Sequence, residues 1–145
     1  MKPGITFEKI WFDDDMVELH IHSSNGTSFF TNKVYAAHQT IGDLIVDLDT
    51  FKNQVYGGIY DIRLGEFGPE YSKGAFQARL HFQERGIIYV SVNAQSEFEK
   101  FGIKQVASEA TLYFISEPAL LDNFISELKE IEEGRRNDAC LEGVR

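Results

Sequence analysis

The most constraining feature of the sequence is a strict alternation of apolar and polar side chains along residues 76–83. The apolar positions are Phe76, Ala78, Leu80 and Phe82, and the polar positions are Gln77, Arg79, His81 and Gln83. A two-residue period places these two sets on opposite faces of a β-strand, whereas a helix would mix them. Because antiparallel sheets often bury one face and hydrate the other, the pattern predicts a strand of such a sheet.

The same kind of pattern recurs along most of the chain. In residues 16–22, Val17, Leu19 and Ile21 alternate with polar side chains, and Asn25-Gly26 then provides a strong hairpin signal. A glycine-containing segment at 65–74 is expected to be a loop. The alternating and β-branched segments predict six to seven strands, at residues 5–12, 16–22, 27–36, 60–64, 76–83, 88–93 and 111–115.

Two segments carry the helical period instead. Leu44, Leu48 and Phe51 fall on one side of a helix of about three turns. The second helix begins at Ser116-Glu117-Pro118, where a hydroxyl can cap the first turn and proline fits it, and Gly134 ends it. Both helices need an apolar surface to cover their apolar sides. The stripe of the second consists of Leu120, Leu121, Phe124, Ile125, Leu128 and Ile131.

These elements predict an α+β fold. We expect one mostly antiparallel sheet of six to seven strands, with both amphipathic helices packed on one face and water on the other. The chain of 145 residues suits one domain, which we place at residues 1–134. Residues 135–145 are polar and poorly patterned, so we expect them to form a flexible C-terminal tail.

The charge and composition of the chain exclude several classes of partner. The 23 acidic and 14 basic residues give a formal net charge of −9, which disfavours nucleic acid because phosphate contacts come from Lys and Arg. No stretch approaches the roughly 20 apolar residues of a membrane span. Cys140 is the only cysteine, so no disulfide can form within the chain. We expect a cytoplasmic protein with neither nucleic-acid nor membrane partners.

His20 and His22 are the strongest candidates for a metal site. Residues two apart on a strand project to the same face, where two imidazoles can share one zinc ion. Zinc sites need three or four protein ligands, however, and the sequence adds Glu18 on the same strand and His81 on a distant one. The alternative is a hydrated sheet face that uses histidine as a half-polar side chain, and we favour it.

No catalytic signature is present. The sequence has no Gly-x-Ser-x-Gly nucleophile elbow, no phosphate-binding glycine loop and no Gly-x-Gly-x-x-Gly. Cys140 lies in the predicted tail, away from a partner that could activate it. Asp13, Asp14 and Asp15 lack the spacing of a calcium loop and are interpreted as a turn. We therefore expect a protein that is not an enzyme and that uses no cofactor.

The polar positions of the predicted strands form the remaining candidate site. Arg, Tyr and His side chains are favoured at protein interfaces, so this face is a candidate recognition surface. An ordinary hydrated sheet face is the alternative, and it is the commoner arrangement. The members of the face would be Glu18, His20, His22, Arg63, Arg79 and His81, with Tyr89 and Asn93.

Taken in chain order, these elements resemble the WapI-type immunity family, small bacterial proteins that neutralise polymorphic toxins. The resemblance covers residues 5–134 and implies a cognate toxin as protein partner. No motif of functional residues comes with it. It rests on the strand with Val17-Glu-Leu-His-Ile, the Leu44/Leu48/Phe51 helix, the hairpin of 76–82 and 88–92, and the closing helix that begins Ser116-Glu-Pro-Ala-Leu-Leu-Asp-Asn-Phe.

The acidic composition fits a basic toxin domain as partner. A toxin that cuts nucleic acid must present a basic face, which an acidic protein can occupy with fast, salt-sensitive association. Two other functions stay open: a scaffold that forms a homodimer through a sheet edge or the polar face, and a metal-dependent enzyme that uses His20, His22 and His81. The anionic residues expected to meet a basic toxin are Asp13, Asp14, Asp15, Asp43, Asp47 and Asp49.

Overall fold

The computed structural model describes residues 2–68 and 73–144. Of the loop predicted at 65–74, residues 69–72 lie outside the described residues, as do Met1 and Arg145 at the ends of the predicted domain and tail. The described chain forms two helices, α1 (Gln39–Phe51) and α2 (Pro118–Glu132). Its ten strands are β1 (Gly4–Phe12), β2 (Met16–Ser24), β3 (Phe29–Ala37), β4 (Ile59–Gly65), β5 (Ala75–Glu84), β6 (Ile87–Gln95), β7 (Glu99–Phe101), β8 (Lys104–Val106), β9 (Glu109–Ser116) and β10 (Asp138–Glu142).

Eight of the described strands divide into two four-stranded antiparallel sheets. The first sheet has the order β10-β1-β2-β3, and the second has the order β4-β5-β6-β9. Strands β7 and β8 form a separate short hairpin. The predicted α+β class with antiparallel pairing is confirmed, but the strands form two main sheets where the sequence predicted one. Alternation reports which face of a strand is buried and not which strands are its neighbours, so it does not distinguish the two arrangements.

Both sheets and both helices share one hydrophobic core. The Phe7 ring of β1 lies 5.8 Å from the Phe76 ring of β5 and 5.5 Å from the Phe124 ring of α2, measured between centroids. The Phe51 ring of α1 stacks on the Phe82 ring of β5 at 4.9 Å. Aromatic contacts therefore tie the two sheets to each other and each helix to a sheet. Neither helix of the described chain is long and apolar enough to cross a membrane.

The alternation seen in the sequence is realised in both sheets. In β2 the side chains of Val17, Leu19 and Ile21 are buried, and in β5 all four apolar members of residues 76–82 are buried. The intervening polar side chains lie at the outer faces. The predicted orientation of both strands is confirmed, and each sheet has one core face and one hydrated face.

A polar junction joins the edge of the first sheet to the second. Asn32 of β3 is buried, and its Nδ2 donates to the carbonyl oxygens of Ala75 (3.0 Å) and Gln95 (3.1 Å). Gly74 lies beside it with φ of +113°, and a Cβ atom there would overlap the carbonyl oxygen of Lys33. A buried amide needs its hydrogen-bond partners, and glycine alone allows this close approach. The junction therefore fixes β3 against the ends of β5 and β6.

The predicted flexible tail is wrong for residues 138–142. These residues form β10, which pairs with β1 in a register that runs from Gly4 opposite Glu142 to Glu8 opposite Asp138. Ala139 and Leu141 are buried in the shared core. The strand carries only two apolar residues at a spacing of two, and so short a pattern does not stand out in a polar segment. The folded unit thus extends beyond residue 134.

The outer edge of β10 and Val144, two residues after its end, are engaged by four hydrogen bonds. Ser116 contributes one of them, so its hydroxyl does not cap α2 as the sequence predicts. An edge strand whose backbone groups are occupied in this way is not open to another chain. The four bonds run from Arg136 Nε to the Asp138 carbonyl (2.9 Å), from the Cys140 amide to Glu127 Oε1 (2.8 Å), from Ser116 Oγ to the Glu142 carbonyl (2.6 Å), and from the Val144 amide to the Ile115 carbonyl (2.7 Å).

Candidate functional site

The polar residues predicted to share one face lie on two different surfaces. Glu18, His20 and His22 project from β2 at the outer face of the first sheet. Arg63, Arg79 and His81 lie on β4 and β5, at the outer face of the second sheet. The inner faces of the sheets meet in the core, so the two groups do not form a single recognition surface. The difference follows from the division of the strands into two sheets.

The histidines of the first sheet are held by separate carboxylates. His20 Nε2 lies 3.0 Å from Glu18 Oε2, and His22 Nε2 lies 3.1 Å from Glu8 Oε1. His81, the sequence's other candidate ligand, is on the second sheet. Within residues 2–68 and 73–144, no group of three or more His, Cys, Asp or Glu side chains is arranged to hold a metal ion. The structure therefore supplies no third ligand for His20 and His22 from these residues.

The three consecutive aspartates form the turn between β1 and β2. Asp13 Oδ1 accepts hydrogen bonds from the backbone N–H groups of Asp15 and Met16, both at 2.8 Å. These two donors hold the pKa of the Asp13 carboxyl below its ordinary value, because they stabilise the charged form. All three aspartates are exposed, and Asp13 organises the turn.

Two of the predicted acids on α1 meet β4 at a groove of about 310 Å³, here called the acidic groove and defined by Asp43, Asp47, Tyr60 and Asp61. The Tyr60 hydroxyl donates to Asp47 Oδ2 at 3.0 Å. Burial, this hydrogen bond and the negative charges of Asp47, Asp43 and Asp61 raise the pKa of Tyr60. Asp49 lies apart from the groove, where it pairs with Lys52 at 3.4 Å.

Two arginines compensate the charge of Asp61. Arg79 donates from Nε to Asp61 Oδ1 at 2.8 Å and from Nη2 to Oδ2 at 3.0 Å, and Arg63 Nη2 donates to Oδ2 at 3.1 Å. These bonds, those of Arg79 above all, lower the pKa of Asp61. Among the described residues, neither Asp43 nor Asp47 has an ion-pair partner, so the acidic groove keeps uncompensated negative charge.

The lowered pKa of Asp61 predicts a pH-dependent contribution to stability. A carboxyl whose pKa is depressed by folding stabilises the protein above its unfolded pKa of about 3.9, and this contribution is lost as the pH falls through the folded value. Asp61→Asn should cost about 1 kcal/mol at pH 7, discounted because both arginines reach water. The difference from the unmutated protein should shrink toward pH 3. Urea unfolding at both pH values measures it, with Asp14→Asn, at an exposed turn position, as a control that should change stability at pH 7 by no more than about 0.5 kcal/mol.

A second groove, here called the apolar groove, has a volume of about 780 Å³ and lies beside β9. It is lined by Tyr89 of β6, by Tyr113 and Ile115 of β9, by Val144, and by the turn between β2 and β3 at residues 25–27. No charged side chain lines it within the described chain. Tyr113 is 66% exposed and Ile115 is 37% exposed. Of the residues that line the apolar groove, only Tyr89 was a candidate site residue from the sequence. The outward-facing residues of segment 111–115 are nearly as apolar as the inward-facing ones, so the sequence pattern did not single them out.

Comparisons of the chain with models of known protein families, with curated proteins and with solved structures found no match.

Proposed function

We propose that the chain binds and masks a basic protein partner without catalysing a reaction, as a toxin-immunity protein does. The acidic groove carries this proposal. Asp43, Asp47 and Asp61 surround Tyr60, while the two arginines nearby are both bonded to Asp61. The WapI-type immunity family, which the order of the elements resembles, is the class of protein that this activity suggests.

Asp43 and Asp47 are the carboxylates that a cation of the partner would meet. A Lys or Arg side chain entering the groove gains charge-assisted hydrogen bonds with them and approaches the half-buried Tyr60 ring. The net charge of −9 attracts a basic surface from farther away, over a screening length of about 8–10 Å. Encounter would therefore be fast and salt-dependent.

The partner that fits this chemistry is a basic toxin domain that acts on nucleic acid. Masking such a face requires shape and charge but no reacting group on the inhibitor. Cys140, the only cysteine of the sequence, supports a non-catalytic role, because burial raises the pKa of its thiol and keeps it from the nucleophilic thiolate form. Co-expression with a toxin encoded beside this chain should restore growth of the host cells.

The double variant Asp43→Asn/Asp47→Asn should weaken binding to that toxin by at least about tenfold, with slower association and faster dissociation, because it removes both long-range attraction and local hydrogen bonds. The matched control is Asp14→Asn/Asp15→Asn, which removes the same charge from an exposed turn. The control should slow association and leave dissociation nearly unchanged. Stopped-flow association and dissociation rates at low and high salt measure both.

Equal rate changes in the two double variants would show that only overall charge matters and would reject the acidic groove as the contact. Absence of both a complex and growth rescue with the neighbouring toxin would reject the proposed function itself.

A further inference from the structure

We infer that residues 109–113 of β9 accept an extended segment of the same partner as an added strand, with Lys or Arg at the end of that segment that meets Glu109 and apolar side chains at alternate positions. This inference rests on the proposed function, since the segment is taken to belong to the masked protein. It assigns a second contact, distinct from the acidic groove, which uses backbone groups and apolar side chains.

The direction of the backbone groups of β9 follows from one hydrogen bond. The Val144 amide donates to the Ile115 carbonyl at 2.7 Å, so that carbonyl points away from β6. Both backbone groups of a strand residue point to the same side, and the side alternates along the strand. The N–H and C=O groups of Glu109, Thr111 and Tyr113 therefore also point away from β6. Within residues 2–68 and 73–144, Ile115 has the only backbone bond on that side of β9.

This open edge contrasts with β10. There, side chains of Arg136, Glu127 and Ser116 occupy three of the outward backbone groups, namely the Asp138 carbonyl, the Cys140 amide and the Glu142 carbonyl. Proteins ordinarily cover or interrupt an edge strand, because free backbone groups invite pairing with another chain. An edge left open over residues 109–113 is a site where an extended peptide can add as a strand.

The apolar groove indicates which side chains the added strand would carry. It borders the same strand, with Tyr113 and Ile115 on its surface and Tyr89 beside them. Side chains at alternate positions of an added strand would project over this outer face. Apolar groups there would be removed from water against Tyr113, whereas charged groups would meet no opposite charge in the lining.

The charge at the open end of β9 identifies the partner's chemistry. Glu109 begins the strand at its open end, whereas the other end is already covered by the bond between Val144 and Ile115. The Glu109 carboxylate has no ion-pair partner among the described residues, although it accepts a hydrogen bond from Gln95 at 3.0 Å. A second copy of this chain would bring another net charge of −9 and another Glu109, so it is repelled. A segment with Lys or Arg at its end is instead attracted to Glu109.

Amide hydrogen exchange of the unmutated protein tests the inference, with the toxin domain encoded beside this chain, made catalytically inactive, as the probe. The amides of Thr111 and Tyr113 should exchange rapidly in the free protein and at least about tenfold more slowly in the complex. The amides of Leu112 and Phe114, which face β6, are the internal controls because they are protected already.

Tyr113→Pro supplies the matching variant. Proline at position 113 removes the outward N–H but no hydrogen bond to β6. Edge strands tolerate proline at such outward-facing positions. Tyr113→Pro should weaken binding at least about tenfold more than Tyr113→Ala, which also removes the ring but keeps the outward amide.

Three results would overturn the inference. A complex in which Thr111 and Tyr113 still exchange as fast as in the free protein rejects the added strand and leaves the proposed function standing. Failure of the toxin domain to bind at all rejects both proposals. Protection of these amides that grows with protein concentration, without toxin, would show that a second copy is the occupant.

Discussion

Replacing Phe7 by Ala should lower the free energy of unfolding by about 3–5 kcal/mol, the usual cost of truncating a buried phenylalanine. Phe7 is 1% exposed, and its ring contacts Phe76 of the second sheet and Phe124 of α2. Truncation would therefore leave a cavity between three elements that no single side chain can fill. Equilibrium urea unfolding followed by circular dichroism measures the loss.

Phe101→Ala is the matched control, because it removes the same atoms from a ring that is 72% exposed on β7. It should change stability by no more than about 0.5 kcal/mol. Similar, small effects of both substitutions would contradict the placement of Phe7 between the sheets.

Leu141→Asp should destabilise the protein by more than about 4 kcal/mol, enough to unfold many domains of this size. Leu141 is fully buried on β10, so the new carboxylate would lose its hydration without gaining a charge partner. The substitution also discriminates between two descriptions of the C-terminal segment. A flexible tail would accept an aspartate without effect, whereas a core strand would not.

Asn137→Asp provides the comparison, since it adds the same charge at an exposed position one residue before β10. Thermal unfolding of both variants should show a large drop in Tm for Leu141→Asp and a negligible one for Asn137→Asp. Two silent substitutions would mean that residues 138–142 do not belong to the core.

Local patterns predicted the local structure well. The alternation of β2 and β5 specifies which side chains enter the core, and the apolar stripe around Phe124 specifies the buried side of α2. Side-chain periodicity depends on each element alone, so one sequence contains it. Ser116 shows the limit of such local predictions. Its hydroxyl donates to the carbonyl of Glu142, a residue 26 positions away, and does not cap the nearby helix α2.

The candidate site was only partly predictable for the same reason. Asp43 and Asp47 are recognisable as outward acids on α1, but their convergence with Asp61 depends on the packing of β4 beside α1. The placement of Arg79 and His20 on different sheets likewise depends on which strands pair. Long-range pairing is set by the whole core and by contacts such as the hydrogen bonds of the buried Asn32 amide to Ala75 and Gln95. Nothing in the sequence distinguishes Asn32 from the other polar residues of its strand.

The difference between the β10 edge of the first sheet and the β9 edge of the second limits how this protein can assemble. Fibril growth requires a free edge at both ends of a repeating unit, so that each added molecule presents a new template. Here the β10 edge is blocked by Arg136, Glu127 and Ser116, while β9 stays accessible. A molecule that accepts a strand at β9 therefore does not offer a free β10 edge as the template for the next one.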